Sequence, residues 1–311
     1  MKKGLLIYNP EDYQKNKWFV RELLTQAPKH GLKLDFILRN HLSLSLDQTG
    51  NFTACGILDT IPFSTPDALE SLTPDSKTSF EPVSLTDFDF VINRTRDSLI
   101  GKHFENMGYQ VFNNANITEI CNHKGKTHQF INRCSIPSVA TLFGNVHYFN
   151  PVLIPFGYPL ILKSVSGHGG SEVFYIEDET SLMSHLDNLP TEDFILQELC
   201  TNPGTDIRVF ALGQEIVASV KRFCPTSFKS NYSLGGSAMP YTLLTHEEAM
   251  VRQILYLLES DFVGIDFILD QDNQLLFNEI EDVVGTRTLY LNYPDIDIVD
   301  RFLYYIKKTL R

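Results

Sequence analysis

The sequence predicts an α/β protein, and three observations support this. In the first third of the chain, apolar runs of strand length alternate with amphipathic helical segments, which is typical of a small open, mostly parallel sheet. Further along, apolar runs follow one another across turn residues, which indicates antiparallel hairpins and an α+β arrangement. With 311 residues, the chain is long for one domain and suits two or three subdomains.

The N-terminal third reads as strand, helix, strand. GLLIY is the first strand, residues 11–31 form an amphipathic helix that ends at Gly31, and LKLDFIL is the next strand. Residues 40–87 differ, because they are dense in Ser, Thr, Pro and Asp and predict a long loop or an insertion. A strand, a helix and a strand complete this part, at FDFVINR, SLIGKHFENMG and YQVFN.

The remaining two thirds begin with a helix over ITEICNHKGKTHQFINRC and then become rich in strands. Strand, glycine loop and strand follow in PLILKSVSGHGGSEVFYI, and a hairpin turns at Gly213. The other elements are a short helix at SLMSHLD, a strand at FILQELC, a polar loop at CPTSFKSNYSLGGSA, a helix at HEEAMVRQILYLLES, a hairpin of VGIDFIL and LLFNEIE, and a closing helix at DIDIVDRFLYYIKKTLR.

Composition and charge exclude several classes of protein. A hydrophobic content of 43% supports buried cores, and the net charge of −12 without a Lys/Arg run argues against a nucleic-acid partner. The five scattered cysteines lack CxxC spacing, which indicates reduced thiols and a cytoplasmic protein. No apolar run approaches the roughly 20 residues of a membrane span, and the apolar start is too short for a signal peptide.

Three acidic side chains lie on two apolar strands near the C-terminus. Asp266 lies within VGIDFILD, and Glu279 and Glu281 share one face of LLFNEIE because strand side chains alternate. Burial of a carboxylate in such a strand is costly without a positive partner. Converging oxygen ligands suit Mg²⁺, especially Mg²⁺ that also contacts nucleotide phosphates. The pattern therefore points to ATP.

A glycine loop between two strands carries Gly167, Gly169 and Gly170. Glycine lets the backbone approach a phosphate, and Lys163 on the preceding strand can add a positive charge. His168 in the loop can donate to a phosphate or cap the turn. A hairpin turn with a surface lysine explains the same residues equally well, because a short glycine loop is a weak signal.

The strand FILQELC ends with Gln197 and Glu198 before the irregular linker TNPGTD. Such a linker can offer backbone groups to adenine and a carboxylate to a ribose, although an exposed glutamate at a strand end is usually only solvated. Positive charges are sparse here, and each one alone is more often a surface charge than a ligand. They are Arg208, Lys221, Arg222, Lys229 and Arg287.

The order and spacing of these residues resemble the ATP-grasp superfamily. The likeness is strongest to its amino-acid ligase branch, which includes the ribosomal-protein glutamate ligases and the lysine-biosynthesis carrier-protein ligases, and it covers residues 88–290. The resemblance implies an ATP-grasp fold, α/β overall and α+β in the ATP-grasp part, with an N-terminal Rossmann-like pre-ATP-grasp domain. The implied domains are 1–117 (pre-ATP-grasp, with 40–87 as an insertion or long loop), 118–194 (central subdomain with the glycine flap) and 195–311 (C-terminal subdomain with the metal-binding carboxylates).

The resemblance also implies roles for individual residues. In ICNHKGKTH, Lys124 fits the family's nucleotide-binding lysine better than Lys126 does. The implied nucleotide-binding residues are Lys124, Lys163, Gly167, Gly169, Gly170, Gln197, Glu198, Leu199, Asp206 and Lys229. The implied catalytic residues are Arg222, which neutralises the transferred oxygens, His168, whose flap excludes water, Asn231, which borders the phosphates with Gly235 and Gly236, and Arg287, which clamps a carboxylate. The Arg94/Arg96 pair is a second candidate clamp.

The metal-binding segment departs from the family pattern. The family usually has Glu-x-Asn where this chain has Glu279-Ile-Glu281, and Pro-Gly where it has Val284-Gly285. Glutamate can also bind Mg²⁺, so we expect Asp266, Glu279 and Glu281 to hold it. The family implies two Mg²⁺ ions, for which Mn²⁺ can substitute, and the number held here stays open.

The implied function is an ATP- and Mg²⁺-dependent carboxylate–amine ligase that forms an amide or peptide bond through an acyl-phosphate and releases ADP and phosphate. Its expected partners are small-molecule amino acids or peptides, and the family's dimers and tetramers suggest a homo-oligomer. Three alternatives stay open. They are an ATP-grasp enzyme with a thiol or phosphorylated acceptor, a non-catalytic nucleotide-binding regulatory protein, and a structural role centred on the insertion. The intact lysines and carboxylates favour an enzyme.

Overall fold

The computed structural model describes residues 1–59, 61, 81–225, 227–229 and 236–310. The chain divides into two compact units, one formed by Met1–Asn116 with Asp297–Arg311 and the other by Ile117–Ile296. The division into three domains predicted from the sequence stays a prediction. No helix within the described residues is long and apolar enough to cross a membrane.

The first unit is built on a parallel sheet, as the sequence predicts. Its strands are β1 (Lys2–Tyr8), β2 (Leu32–Leu38), β3 (Leu42–Leu46), β4 (Phe52–Gly56), β5 (Val83–Ser84), β6 (Phe90–Arg94) and β7 (Gln110–Phe112). Among the described residues, β2, β1, β6 and β7 lie side by side in that order, and every adjacent pair is parallel. The helices α1 (Pro10–Gln26) and α2 (Ser98–Asn106) connect them, and α1 gives way to a 3₁₀ turn that ends at Gly31, where φ is 68°. Leu5, Ile7, Val91 and Phe104 are fully buried in the core.

The described part of the 40–87 segment contains a small antiparallel sheet of β3, β4 and β5. Its strands were not predicted, because the Ser, Thr and Pro content of the segment outweighed the alternation of LSLSL. Residue 60 and residues 62–80, which carry most of that composition, lie outside the described residues.

The second unit opens with two helices where the sequence predicts one. The helix α3 (Ala115–Cys121) ends before Asn122, and α4 (Lys124–Arg133) begins after His123. The prediction of a single helix is wrong because two side chains bond to the backbone at the break. Asn122 donates to the carbonyl of Thr118, and Nδ1 of His123 accepts from the amide of Lys126. The break places Lys124 in the first turn of α4.

The first sheet of the second unit is antiparallel. Its elements are β8 (Thr141–Asn145), β9 (Leu160–Ser164), β10 (Val173–Ile176), α5 (Glu179–Leu186) and β11 (Asp193–Glu198). Within the described ranges the strand order is β10-β9-β11-β8. The sequence predicts this strand–loop–strand arrangement, and Leu160, Leu162, Phe194 and Leu196 form its core with Leu182 of α5.

The second sheet of this unit carries charged residues on one face. Its elements are β12 (Thr205–Leu212), β13 (Glu215–Phe223), β14 (Ser237–Pro240), α6 (Thr245–Leu258), β15 (Phe262–Leu269) and β16 (Leu275–Glu281), followed by α7 (Arg287–Asn292). Among the described strands, the order is β14-β13-β12-β15-β16, and all neighbours are antiparallel. Ile207 and Val209 of β12 pack in the core with Ile254 of α6. Because side chains alternate along a strand, Asp206 and Arg208 point to the opposite face. The last helix, α8 (Ile298–Thr309), belongs to the first unit.

Candidate active site

A cavity that opens to solvent lies within the second unit. Fourteen of the residues predicted from the sequence line it: Lys124, Lys163, Gly167, Gly169, Gly170, Gln197, Glu198, Leu199, Asp206, Arg222, Lys229, Asp266, Glu279 and Glu281. The structure therefore brings together residues that are up to about 160 positions apart in the chain.

Two arginines and three carboxylates form a continuous chain of charge pairs across the sheet. Arg222 binds both oxygens of Asp206, at 2.7 and 2.5 Å, and its Nη2 also lies 2.9 Å from Oδ2 of Asp266. Arg208 binds both oxygens of Asp266, at 2.7 and 2.6 Å, and lies 2.7 Å from Oε1 of Glu281. The strand register explains the pairing, because Asp206 lies opposite Arg222 and Arg208 opposite Asp266.

This chain of charge pairs keeps Asp266 ionised although it is buried. Burial on its own raises the pKa of a carboxyl group. Here the two guanidinium groups of Arg208 and Arg222 outweigh the burial, so that the pKa of Asp266 lies below its ordinary value. Asp266 is 3% exposed, which means that its charge is compensated almost entirely by protein groups.

Three carboxylates can offer oxygens to one metal ion. Asp266, Glu279 and Glu281 each have an oxygen within 4.8 Å of the other two. Both oxygens of Asp266 already accept hydrogen bonds from guanidinium groups, but Oδ1 accepts only one from the described residues, which leaves a lone pair for a metal ion. Glu279 and Glu281 are partly exposed. This set of hard oxygen donors fits a divalent cation such as Mg²⁺.

Both predicted lysines are buried, and both interact with Glu279. Lys124 is 7% exposed, its Nζ donates to the carbonyl of Gly167, and it lies 3.3 Å from Oε1 of Glu279. Lys163 is 9% exposed, which contradicts the alternative of a surface lysine. Burial lowers the pKa of Lys163 to about 8, against the opposing effect of Glu279. Nζ of Lys163 donates to Oδ1 of Asn278 at 2.8 Å.

The glycine loop is held by lysines through its backbone. Lys124 binds the carbonyl of Gly167, and Nζ of Lys229 binds the carbonyl of Gly170 at 2.6 Å. Gly169 and Gly170 have φ of 62° and 79°, a region that side chains disfavour. A Cβ on Gly167 would lie 2.6 Å from Cβ of Glu172. The loop therefore requires glycine at these positions.

Two of the predicted catalytic residues, His168 and Arg287, are not among the described residues that line the cavity. The ring of His168 is exposed, and its backbone carbonyl accepts a hydrogen bond from Ser171. Arg287 is exposed at the start of α7. Asn231 and Gly235 lie outside the described residues. The roles of His168, Arg287 and Asn231 stay predictions.

The Arg94/Arg96 pair lies in the first unit. Arg94 is buried at the end of β6, beside the ring of Phe19, and Arg96 forms an ion pair with Asp12. Their proposed role as a carboxylate clamp stays a prediction.

Several residues that line the cavity were not predicted from the sequence. Asn278 binds Lys163, and Cys200, Val139, Ile161 and Phe228 add to the lining. A polar residue inside the apolar strand LLFNEIE was a signal for Asn278. Val139 and Ile161 had none, because an apolar residue that lines a cavity has the same sequence pattern as a core residue.

Comparisons with known proteins agree with the geometry. The family described as RimK-like ATP-grasp domain matches residues 120–306. The chain is 22% identical over 319 residues to the uncharacterized protein MG011 of Mycoplasma genitalium, in an alignment that covers 99% of this chain and 96% of that protein. It is 26% identical over 189 residues to the alpha-aminoadipate–LysW ligase LysX of Saccharolobus solfataricus, covering 58% of this chain and 68% of that one.

The fold also matches that of a solved structure. The D-alanine–D-alanine ligase from Bacillus anthracis, complexed with ATP, superimposes with a TM-score of 0.69 at 14% sequence identity, covering 99% of this chain and 97% of that one. At this identity the likeness shows the fold, which is the ATP-grasp fold predicted from the sequence. The chain is an ATP-dependent carbon–nitrogen ligase. It belongs to the RimK-like ATP-grasp family, within the amino-acid ligase branch that its motifs resemble.

Proposed function

We propose that this ligase activates the carboxylate of an amino acid or peptide as an acyl-phosphate, with ATP bound in the cavity of the second unit and Mg²⁺ held by Asp266, Glu279 and Glu281. The single observation that carries the proposal is the convergence of these carboxylates with Lys124, Lys163 and the glycine loop in one cavity. A related enzyme, LysX, is named as a ligase of an amino acid, alpha-aminoadipate. This supports an amino-acid substrate for the present chain.

The reaction consists of two transfers. An oxygen of the substrate carboxylate attacks the γ-phosphorus of ATP, and the bond between that phosphorus and the bridging oxygen of ADP breaks. An amine nitrogen then attacks the carbonyl carbon of the acyl-phosphate, inorganic phosphate leaves, and the nitrogen loses a proton to form the amide. In phosphoryl transfer the protein acts mainly by positioning and by neutralising charge.

The cationic side chains of the cavity perform that neutralisation. Lys124 and Lys163 are buried, so their charges act in a medium of low dielectric and attract phosphate oxygens more strongly than surface lysines do. Within the described part of the chain, Nε and Nη2 of Arg222 bind Asp206 and Asp266, which leaves Nη1 for a ligand in the cavity. Arg222 thus both holds Asp266 and offers a hydrogen bond. When bound, Mg²⁺ would supply a positive charge shared between phosphate oxygens.

The glycine loop covers the phosphates in this proposal. Lys124 and Lys229 bind its carbonyl groups, so the two lysines couple the position of the loop to the charges in the cavity. A loop that closes over ATP would keep water away from the acyl-phosphate, which water hydrolyses. The backbone of Glu198 and Leu199 lies at the end of β11, where it can bind the adenine.

The experiment is ADP release from MgATP with a panel of amino acids and short peptides, with hydroxylamine as a general amine acceptor. We expect ADP and a hydroxamate with one carboxylate substrate. The variant Glu279→Gln should abolish the signal, and the control Asp272→Asn should keep it, since Asp272 is an exposed carboxylate at the far end of the same hairpin. ADP release without a hydroxamate for every carboxylate would contradict the acyl-phosphate and favour another acceptor.

A further inference from the structure

The side-chain amide of Gln197 is held by two neighbours at the wall of the cavity. Gln197 lies on β11, is 2% exposed and lines the cavity. Its Nε2 lies 2.9 Å from Oγ1 of Thr141 and 2.9 Å from Nε2 of His128. Neither His128 nor Thr141 lines the cavity. Both contact the lining of the cavity through Gln197.

Hydrogen-bond accounting at Thr141 fixes the direction of this amide. A threonine hydroxyl has a single hydrogen. Thr141 donates that hydrogen to the carbonyl of Val139, at 2.8 Å. Toward Gln197 the hydroxyl can therefore only accept. This agrees with the orientation in the structure, in which the NH₂ group of Gln197, and not its carbonyl oxygen, faces Thr141.

His128 accepts the second hydrogen of the same NH₂ group. His128 is 3% exposed, and burial lowers its pKa to about 3, with the charges of Lys163 and Lys124 adding to the effect. The ring is therefore neutral at physiological pH, and a neutral imidazole has one nitrogen that accepts. Because the NH₂ group of Gln197 faces Nε2, the ring hydrogen lies on Nδ1, where the backbone of Asn278 is the group that acts on it. Both hydrogens of the Gln197 amide are then used inside the protein.

The carbonyl oxygen of Gln197 remains available to a ligand. No hydrogen bond from the described part of the chain reaches Oε1 of Gln197, whereas Nε2 has two partners. The cavity thus presents a fixed acceptor next to the backbone of Glu198 and Leu199. A fixed acceptor binds an amino group and repels a carbonyl group, because an unpaired acceptor facing another acceptor loses its hydrogen bond to water.

We propose that His128 and Thr141 are positioning residues that fix the amide of Gln197, so that the cavity selects a purine nucleotide with a 6-amino group over one with a 6-oxo group. The inference rests on the proposed function only in taking the cavity as the nucleotide site. It adds two residues outside the cavity that set its base specificity.

The test compares the dissociation constants of three Mg²⁺–nucleotide complexes: ATP, inosine triphosphate, which has a 6-oxo group, and purine riboside triphosphate, which has neither group. We expect the wild-type protein to bind ATP at least tenfold more tightly than inosine triphosphate, with purine riboside triphosphate between them. Thr141→Val, which has nearly the same shape but no hydroxyl, should lower the ratio of ATP to inosine triphosphate at least fivefold. His128→Phe should do the same, and Thr141→Ser should preserve the ratio.

The outcomes separate this inference from the proposed function, because binding is measured without a carboxylate substrate. Equal binding of the three nucleotides by the wild type would overturn the inference and leave the ligase proposal intact. Thr141→Val and His128→Phe could instead weaken the binding of all three nucleotides alike and leave the ratio of ATP to inosine triphosphate unchanged. That result would show that the two residues contribute only to packing and would overturn the inference. If His128→Phe does not fold, the ratios of ATP to inosine triphosphate binding in Thr141→Val and Thr141→Ser are sufficient to test the inference. Failure of every nucleotide to bind would overturn both proposals.

Discussion

Lys163 and Asn278 meet across the cavity, with Nζ of the lysine 2.8 Å from Oδ1 of the amide. The two residues lie 115 positions apart in the chain, at the end of β9 and inside β16. Asn278 is followed directly by Glu279, one of the proposed metal ligands. The contact therefore connects a buried positive charge with the strand that carries the carboxylates.

We expect the activity of the free enzyme to depend on the protonation of Lys163. Its pKa of about 8 results first from burial, so the ammonium group loses its proton as the pH rises through 8. Since the charged form attracts phosphate, kcat/KM for ATP should fall above about pH 8. Asn278→Asp should move this fall to higher pH, because a carboxylate stabilises the ammonium. Asn278→Leu should move it to lower pH. The measurement is kcat/KM for ATP from pH 6 to 9.5, and identical profiles for the three proteins would refute the dependence.

The same burial predicts that Lys163 lowers the stability of the protein. The native pKa of about 8 lies below the ordinary value of 10.5, so the native state binds fewer protons between these values and stability rises with pH in that window. The difference corresponds to about 3 kcal/mol. Lys163→Met should therefore raise the free energy of unfolding by up to about 3 kcal/mol at pH 7, and by much less near pH 10.5.

The control for this prediction is Lys102→Met, which removes a lysine that is 63% exposed in its side chain. Urea denaturation at pH 7 and pH 10 gives the free energy of unfolding of the wild type, Lys163→Met and Lys102→Met. The prediction is wrong if Lys163→Met is less stable than the wild type at pH 7, since the lysine would then stabilise the fold through its contact with Asn278.

The sequence predicts most charged residues of the site but few of their partners. Asp266, Glu279 and Glu281 are conspicuous because carboxylates are costly in apolar strands, and Lys163 is conspicuous beside a glycine loop. The contact of Lys163 with Asn278 depends on how two separate sheets face each other, which no local pattern encodes. The contact of His128 with Gln197 could not be predicted either, because the position of His128 on α4 has the sequence pattern of a core residue. The break before Lys124 was missed because two side chains, those of Asn122 and His123, cap helix ends in the middle of a helical pattern.

The buried pair of Asp206 and Arg222 should be important for stability. Asp206 accepts two hydrogen bonds from Arg222, and both side chains are almost completely buried. Removal of the Asp206 charge leaves buried Arg222 to share Asp266 with Arg208, and an incompletely compensated buried charge typically costs about 3 kcal/mol or more. We therefore expect Asp206→Asn to lower the free energy of unfolding by about 3 kcal/mol, as measured by urea denaturation.

An exposed ion pair with a similar distance between its nitrogen and oxygen atoms provides the control. Arg252 lies 2.7 Å from Glu248, with side chains that are 55% and 44% exposed. Because solvent screens such a pair, Glu248→Gln should change stability by less than about 1 kcal/mol. The double variant Asp206→Leu with Arg222→Met should recover part of the loss in stability, since it removes both charges of the pair while Asp266 keeps its two hydrogen bonds from Arg208. Equal effects of Asp206→Asn and Glu248→Gln would show that burial does not strengthen the pair.

Glu281 offers a prediction about the metal, because it stands where the family usually has asparagine. Glu281 adds a third negative charge to Asp266 and Glu279, and Arg208 lies 2.7 Å from its Oε1. Glu281→Asn should raise the Mg²⁺ concentration for half-maximal ADP release several-fold, because one anionic ligand is replaced by a neutral one. The variant should lose little stability, since Arg208 keeps two hydrogen bonds to Asp266 and Glu281 is partly exposed. Titration with Mg²⁺ and with Mn²⁺ measures the effect, and Asp272→Asn serves as the charge-matched control. An unchanged requirement for Mg²⁺ would mean that Glu281 forms an ion pair with Arg208 but does not bind the ion, and that Asp266 and Glu279 hold the ion without Glu281.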